Sequence, residues 1–405
     1  MSHLSPAHEA PVAALEKKPR ITFITNFASH YRVRTFELIA QRYDARFLFY
    51  SDGGEANWLA EHGISAGPFP HEYLRGFSIG GVRLAPRLLP LTWMDDSDVI
   101  IKCINGKFAL PIVFSICLAR RRPLIVWTGV WSVLDSPANR WFARFNNFVY
   151  RHADAIVTYG HHVTRYLIEQ GVDPRKIFTS KHAVTNSLYS RPVTLGEIVS
   201  LRKRLAIPAE TRIILSIGRL VPVKGLHYLI RAFAEASPGR NACLVLVGTG
   251  PERQSCENLV RELGIGDRVR FPGYIPPADT VAYYAASYAF VLSSITWQGW
   301  KETWGLVINE AFNQGVPAIT TDAVGAAAGG LVLDGENGFI VPEQNSTAIA
   351  VAISRLLDDP DLRDRFSANA RSFITTWDQE HMANAFSDAI EHVILKCKFA
   401  DSSFM

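Results

Sequence analysis

From position 20 onward the chain alternates between short, continuously apolar runs and longer segments whose apolar residues recur every three to four positions. The short runs, rich in Val, Ile and Leu, read as strands covered on both faces, and the 3.6-residue period reads as amphipathic helix. In the first half the pattern predicts strands over 20–27, 45–50, 98–103, 123–128, 155–159 and 176–180. Helices over 31–40, 107–120, 138–152 and 163–170 separate them. The stretch 51–91 is rich in Gly and Pro and predicts loops with one helix or hairpin. Periodicity weakens between 183 and 208, which places a domain boundary near Tyr189. Strand-type runs then return at 212–218, 242–247, 268–271, 288–292, 317–321 and 339–342.

Strands separated by helices of this length imply βαβ units and parallel sheets. The expected fold class is therefore α/β, with two doubly wound, Rossmann-like domains facing across a cleft. The expected units are a tail over 1–19, a first domain over 20–188, a second over 189–375 and a closing helix over 376–405. Asp378 suits an N-cap for that helix, which is expected to cross back onto the first domain. A length of 405 residues fits two domains of about 200 each.

Composition narrows the function. The net charge of +4 is mild and spread along the chain, so nucleic-acid binding is not expected. Five scattered cysteines, none in a Cys-x-x-Cys pair, imply reduced thiols, a cytoplasmic protein and no metal site. Residues 1–19 lack an apolar core and read as a loose tail, not a signal peptide. The longest apolar run, 108–119, is shorter than the ~20 residues of a membrane span. Arg120, Arg121 and Arg122 follow it. They suit a peripheral contact with anionic lipid at the inner membrane surface, although a buried helix closed by cations explains them better.

Chemistry gathers in 291–315, where a loop rich in Gly, Trp and Ser runs from a strand into a helix. Glu302 and Glu310 flank the junction. Between them the backbone N–H groups of Thr303, Trp304, Gly305 and Leu306 are donors at a helix start, suited to a diphosphate. Two carboxylates for sugar hydroxyls beside a phosphate cradle describe a nucleotide-sugar site. After the strand 212–218, Gly218 lets the backbone approach a pyrophosphate, Arg219 can fork onto two oxygens and Lys224 adds a point charge. The Walker pattern is absent. In the first half, His30 and Arg32 lie in the loop after the first strand, at the carboxyl edge where open sheets bind ligands. His161 and His162 begin a later helix. The segment 140–151 interleaves Arg with Trp and Phe: one face belongs to the core, and the remainder suits a lipid-linked acceptor.

Taken together, the chain resembles the retaining family 4 glycosyltransferases of GT-B architecture (glycosyl transferases group 1). The resemblance rests on Gly218-Arg219 with Lys224-Gly225, on Gly248-Thr249-Gly250-Pro251, on Glu302 and Glu310 around Thr303-Trp304-Gly305-Leu306, and on Gly335-Glu336-Asn337-Gly338-Phe339. It implies that Arg219 and Lys224 neutralise the departing diphosphate, that Glu310 holds ribose hydroxyls and that Glu302 holds hydroxyls of the transferred sugar. It also implies donor contacts from Gly218, Gly250 and the backbone around Tyr274 and Ile275. No cofactor and no metal are implied, only a nucleoside-diphosphate sugar as donor and a saccharide or lipid-linked acceptor in surface or exopolysaccharide assembly. Many relatives carry a histidine after the strand matching 123–128. Gly129, Val130 and Trp131 stand there instead, so His30 or His161 substitutes for it or Trp131 lines an acceptor pocket. A nucleotide-sugar epimerase and a non-catalytic nucleotide-sugar-binding protein are the competing readings.

Overall fold

The apolar runs form two separate sheets, each parallel throughout. The structure, a computed structural model, describes residues 18–51, 67–133 and 136–402. The first domain opens with β1 (Arg20–Thr25), α1 (Val33–Arg42), β2 (Asp44–Phe49) and β3 (His71–Tyr73). An antiparallel hairpin follows, β4 (Phe77–Ile79) with β5 (Val82–Leu84), and then α2 (Leu88–Trp93). The alternation resumes with β6 (Val99–Cys103), α3 (Ala109–Arg120), β7 (Leu124–Thr128), α4 (Pro137–His152), β8 (Ala155–Thr158), α5 (His161–Glu169) and β9 (Ile177–Thr179). The Gly/Pro-rich stretch thus holds an edge strand, a hairpin and a helix. Its residues 52–66, like 1–17 of the expected tail, lie outside the described residues.

Two short helices, α6 (Asn186–Tyr189) and α7 (Leu195–Arg204), lead into the second domain. Thr194 starts α7 with a capping box: its hydroxyl accepts from the Glu197 N–H while the Glu197 carboxylate accepts from the Thr194 N–H. The second domain comprises β10 (Arg212–Ile217), α8 (Leu226–Ala236), β11 (Ala242–Val247), α9 (Arg253–Glu262), β12 (Val269–Gly273), α10 (Pro277–Ala285), β13 (Ala289–Leu292), α11 (Val307–Asn313), β14 (Ala318–Thr321), α12 (Gly325–Ala328) and β15 (Gly338–Val341). It closes with α13 (Ser346–Asp358), α14 (Pro360–Ile374) and α15 (Gln379–Ser402).

The central strands are apolar on both sides because helices cover both faces, and every residue of β11 is buried. Strand order is β3-β2-β1-β6-β7-β8-β9 in the first sheet and β12-β11-β10-β13-β14-β15 in the second. In each, the winding reverses beside the first strand, between β1 and β6 and between β10 and β13. At such a switch point the loops leaving adjacent strands diverge to opposite faces and open a crevice at the carboxyl edge. The loops after β10 and β13 carry Arg219, Lys224 and Glu302, so the winding alone brings distant motifs to one place.

The last helix packs on the first domain. Asp378 caps it by accepting from the His381 N–H at 2.8 Å. Phe386 sits 5.7 Å from the Phe23 ring and 5.5 Å from Trp127, and Glu380 pairs with Arg42 at 2.8 Å. Just before it, the Trp377 indole donates to the His182 carbonyl at 3.0 Å, which ties the return of the chain to the first domain.

Candidate active site

The second-domain switch point is built from glycines pressed against one another. Gly218 donates to the Val247 carbonyl at 3.0 Å and Gly248 to the Gly273 carbonyl at 2.8 Å, so three strand ends stay in step. A Cβ on Gly248 would stand 1.9 Å from the Gly218 oxygen, and one on Gly250 would stand 2.3 Å from the Leu220 oxygen. Gly250, expected at the donor, is thus required for packing one turn on the next. Gly225 has φ +58°, in the left-handed region that glycine tolerates, and its missing Cβ makes room for the Ser293 carbonyl. That turn aims Lys224 at the loop after β13. Its Nζ lies 2.5 Å from Glu302 Oε2, and the Ser294 hydroxyl donates to the same oxygen at 3.1 Å. Gly218, Arg219 and Lys224 line one small pocket together with Leu292.

The loop Glu302–Leu306 is held by its carbonyls. The Glu302 oxygen accepts from Gly325 N at 3.0 Å and from the Trp131 indole at 3.1 Å. The Thr303 oxygen accepts from His162 Nε2 at 3.0 Å, and the Trp304 oxygen from Ala326 N at 2.7 Å. Among the described residues, the N–H groups of Thr303, Trp304, Gly305 and Leu306 have no acceptor within the protein. These donors belong to a loop, because α11 has only seven residues and a correspondingly short dipole. Glu310 is the fourth residue of α11, one turn inside the helix. Tyr284 donates to it at 2.7 Å, and Tyr189 supplies a second hydroxyl. Burial pushes its carboxyl up to about 7, against the opposing pull of those two hydroxyls.

On the facing side, Trp131 stands between the domains, with its indole on the Glu302 carbonyl and its ring edge-to-face with His162 at 5.0 Å. Ser132 accepts from Lys301 N at 3.1 Å. Gly129 leaves space for Thr303: a Cβ there would meet Thr303 Cγ2 at 2.5 Å. A cavity of about 260 Å³ opens beside this contact. Its walls are α4, the loops after β6 and β7, and Trp300, Lys301 and Thr303 from the second domain.

The remaining first-domain candidates are placed differently. His161 faces solvent, and its neighbour His162 makes the interdomain contact. The helical period could have separated them, since His162 shares the buried stripe of Val163 and Leu167 whereas His161 points away from it. Arg32 is engaged inside its own domain, with Nη2 3.0 Å from the Tyr159 hydroxyl and the guanidinium 4.7 Å over the Trp127 ring. His30 lies in the 3₁₀ turn after β1, edge-to-face with Tyr31 at 5.3 Å. Tyr274 is exposed just beyond β12, and Ile275 packs against the core. Sequence reasoning did not single out Ser294 or Lys301, which carry no motif of their own.

Known proteins share this fold. Anabaena HepE, solved in complex with UDP, superposes with a TM-score of 0.73 at 24% identity, covering 92% of this chain and 99% of that one. Sucrose-phosphate synthase from Thermosynechococcus elongatus superposes with a TM-score of 0.71 at 20% identity, covering 94% and 100%. The fold is GT-B. Residues 198–373 match the glycosyl transferases group 1 family. Among curated relatives, the lipopolysaccharide core biosynthesis glycosyltransferase LpsD of Rhizobium meliloti is 34% identical over 196 residues, 48% of this chain and 54% of its own length. D-inositol 3-phosphate glycosyltransferase of Corynebacterium glutamicum is 32% identical over 232 residues, 54% and 53% of the two chains. The chain thus spans about half the length of these relatives.

Proposed function

We propose that the protein is a retaining, metal-independent glycosyltransferase of family 4. It moves a hexosyl unit from a nucleoside-diphosphate sugar to a saccharide or lipid-linked saccharide. The observation that carries this reading is the convergence of Arg219, Lys224 and Glu302 at one switch point, next in the chain to four backbone N–H groups that lack acceptors among the described residues. In this reading Arg219, Lys224 and those amides take up the charge that develops on the departing diphosphate. Glu302 exchanges its ion pair for hydroxyls of the sugar, and Glu310 with its two tyrosines holds the ribose. Among the described residues, none of those lining the cavity beside Thr303 is acidic and none there offers a carboxylate nucleophile. This favours same-face attack: the acceptor oxygen bonds to the anomeric carbon as the bond to phosphate breaks, and the leaving phosphate oxygen takes the acceptor's proton.

The acceptor side is assigned to the cavity at Trp131. The outer face of α4 supports a lipid-linked acceptor and a peripheral site of action on the cytoplasmic face of a membrane. It exposes Trp141 at 62% and Phe148 at 47%, among Arg140, Arg144 and Arg151. Among the described residues no helix is long and apolar enough to cross a membrane. A role in surface polysaccharide assembly is in keeping with the LpsD relative. A thermal-shift panel of UDP, GDP and ADP with their hexose conjugates tests the donor site, and NMR of the anomeric proton in the product tests retention. Stabilisation by none of the nucleotides, or an inverted product, overturns the reading.

A further inference from the structure

The cavity beside Trp131 has a chemical bias that the reaction alone does not require. Its volume of about 260 Å³ is near the lower end of small-ligand sites, about 300–1,000 Å³, which suits a single sugar unit and not a chain. Along α4, Asn139, Phe142, Asn146 and Tyr150 form one stripe facing into it, at the spacing of a single helical face. Among the described residues, the side-chain amides of Asn139 and Asn146 have no partner within the protein and are available to hydroxyls. Two cations stand at the walls, one from each domain. Lys107 Nζ rests 5.2 Å over the Phe142 ring and Lys301 Nζ rests 4.9 Å over the Trp131 ring. Among the described residues, no ion pair holds either lysine and no residue lining the cavity is acidic. An aromatic face is a weak partner for an ammonium, about 0.5–1 kcal/mol at an exposed site, so the exposed Lys107 and the half-buried Lys301 both stay able to pair with an anion that enters.

We propose that the acceptor is anionic: a phosphate-bearing saccharide whose phosphate bridges Lys107 and Lys301 while its ring lies on the Trp131 and Phe142 side. This rests on the glycosyltransferase reading above and specifies the acceptor for it. The phosphate belongs either to a free sugar phosphate or to the headgroup of a glycosylated phospholipid, since both present the same group. Requiring one lysine from each domain also couples acceptor binding to the closed arrangement of the cleft.

Binding is measured on the full chain without donor. The free probes are glucose, glucose 6-phosphate and inorganic phosphate, and the lipid probes are phosphatidylcholine vesicles with and without phosphatidylglucoside. Glucose 6-phosphate, or the phosphatidylglucoside vesicle, is expected to bind about tenfold or more tightly than its uncharged counterpart, with a preference that shrinks as salt is raised. The double variant Lys107→Met/Lys301→Met is expected to lose the preference, and Lys107→Arg/Lys301→Arg to retain it. Preference for the free probe points to a soluble acceptor and preference for the vesicle to a lipid-linked one. Equal binding of charged and uncharged probes, or a preference that survives in the methionine variant, overturns the proposal. Thermal shifts with UDP, GDP and ADP on the same samples separate the two levels. A nucleotide shift without phosphate preference sinks only this inference, and no nucleotide shift at all sinks the reading beneath it.

Discussion

Lys224 and Glu302 form an ion pair whose Nζ–Oε2 distance is 2.5 Å, with only 13% and 14% of the two side chains exposed. They are 78 positions apart and reach each other across the β10–β13 switch point. In this state each occupies the other's charge, so a donor must offer more than water does: a diphosphate for the lysine and hydroxyls for the glutamate. Lys224→Ala and Arg219→Ala are each expected to lower turnover on the order of 10²-fold or more, with the fold intact by circular dichroism. Near-normal turnover in both would remove the diphosphate assignment.

The same pair makes a separate prediction about stability. Removing one partner leaves a mostly buried charge unpaired, which costs more than removing both. In urea unfolding Lys224→Met alone should therefore be less stable than Lys224→Met/Glu302→Gln. The reverse order would mean that water reaches the pair freely.

Glu310 gives a pH dependence of definite sign. Its folded-state pKa, about 7, is above the ordinary carboxyl value of 4.5 because the group is buried. Between those values the folded protein holds a proton that the unfolded chain has released. Stability from this group is therefore full below about pH 4.5 and declines as pH rises towards 7. The wild type should lose melting temperature relative to Glu310→Gln across that window, and parallel curves would contradict the assignment.

His162 behaves in the opposite sense. Burial lowers its pKa from 6.5 to about 4, while Nε2–H donates to the Thr303 carbonyl and Nδ1 is buried without a partner. From pH 6.5 down to about 4 the unfolded histidine takes up a proton that the folded one refuses. Stability from this group is thus present above 6.5 and lost as pH falls. His162→Gln should flatten the acid side of the stability profile, and titration of His162 followed by NMR should show a midpoint well below 6.5.

Gly325 tests how tightly the acid loop is set. A Cβ there would lie 2.1 Å from the Thr303 carbonyl oxygen and 2.9 Å from His162 Nε2. The nearest clash is with backbone, so it cannot be relieved by a rotamer change. Gly325→Ala is expected to cost about 1–3 kcal/mol and to lower turnover together with stability. A variant as stable and active as the parent would show that the loop moves freely.

Much of this protein is legible without coordinates. Apolar runs such as 242–247 and their intervening helical periods are local properties, and they sufficed for two parallel α/β sheets and for most element positions within two or three residues. The motifs that hold Arg219, Lys224, Glu302 and Glu310 were likewise visible as candidates, because residue types and their order are local properties. Three-dimensional packing decided the rest. Glu302 faces Lys224 because the winding reverses beside β10, and a strand order is not written in any single segment. His162 and not His161 meets the second domain because a helix turned on its axis by the burial of Val163 and Leu167 presents only one of two adjacent residues. Gly129, Gly250 and Gly325 are glycines because another backbone or side chain, distant in sequence, occupies the space of a Cβ. Local periodicity sets what each segment becomes, whereas close packing between segments far apart in the chain sets which of their groups can act together.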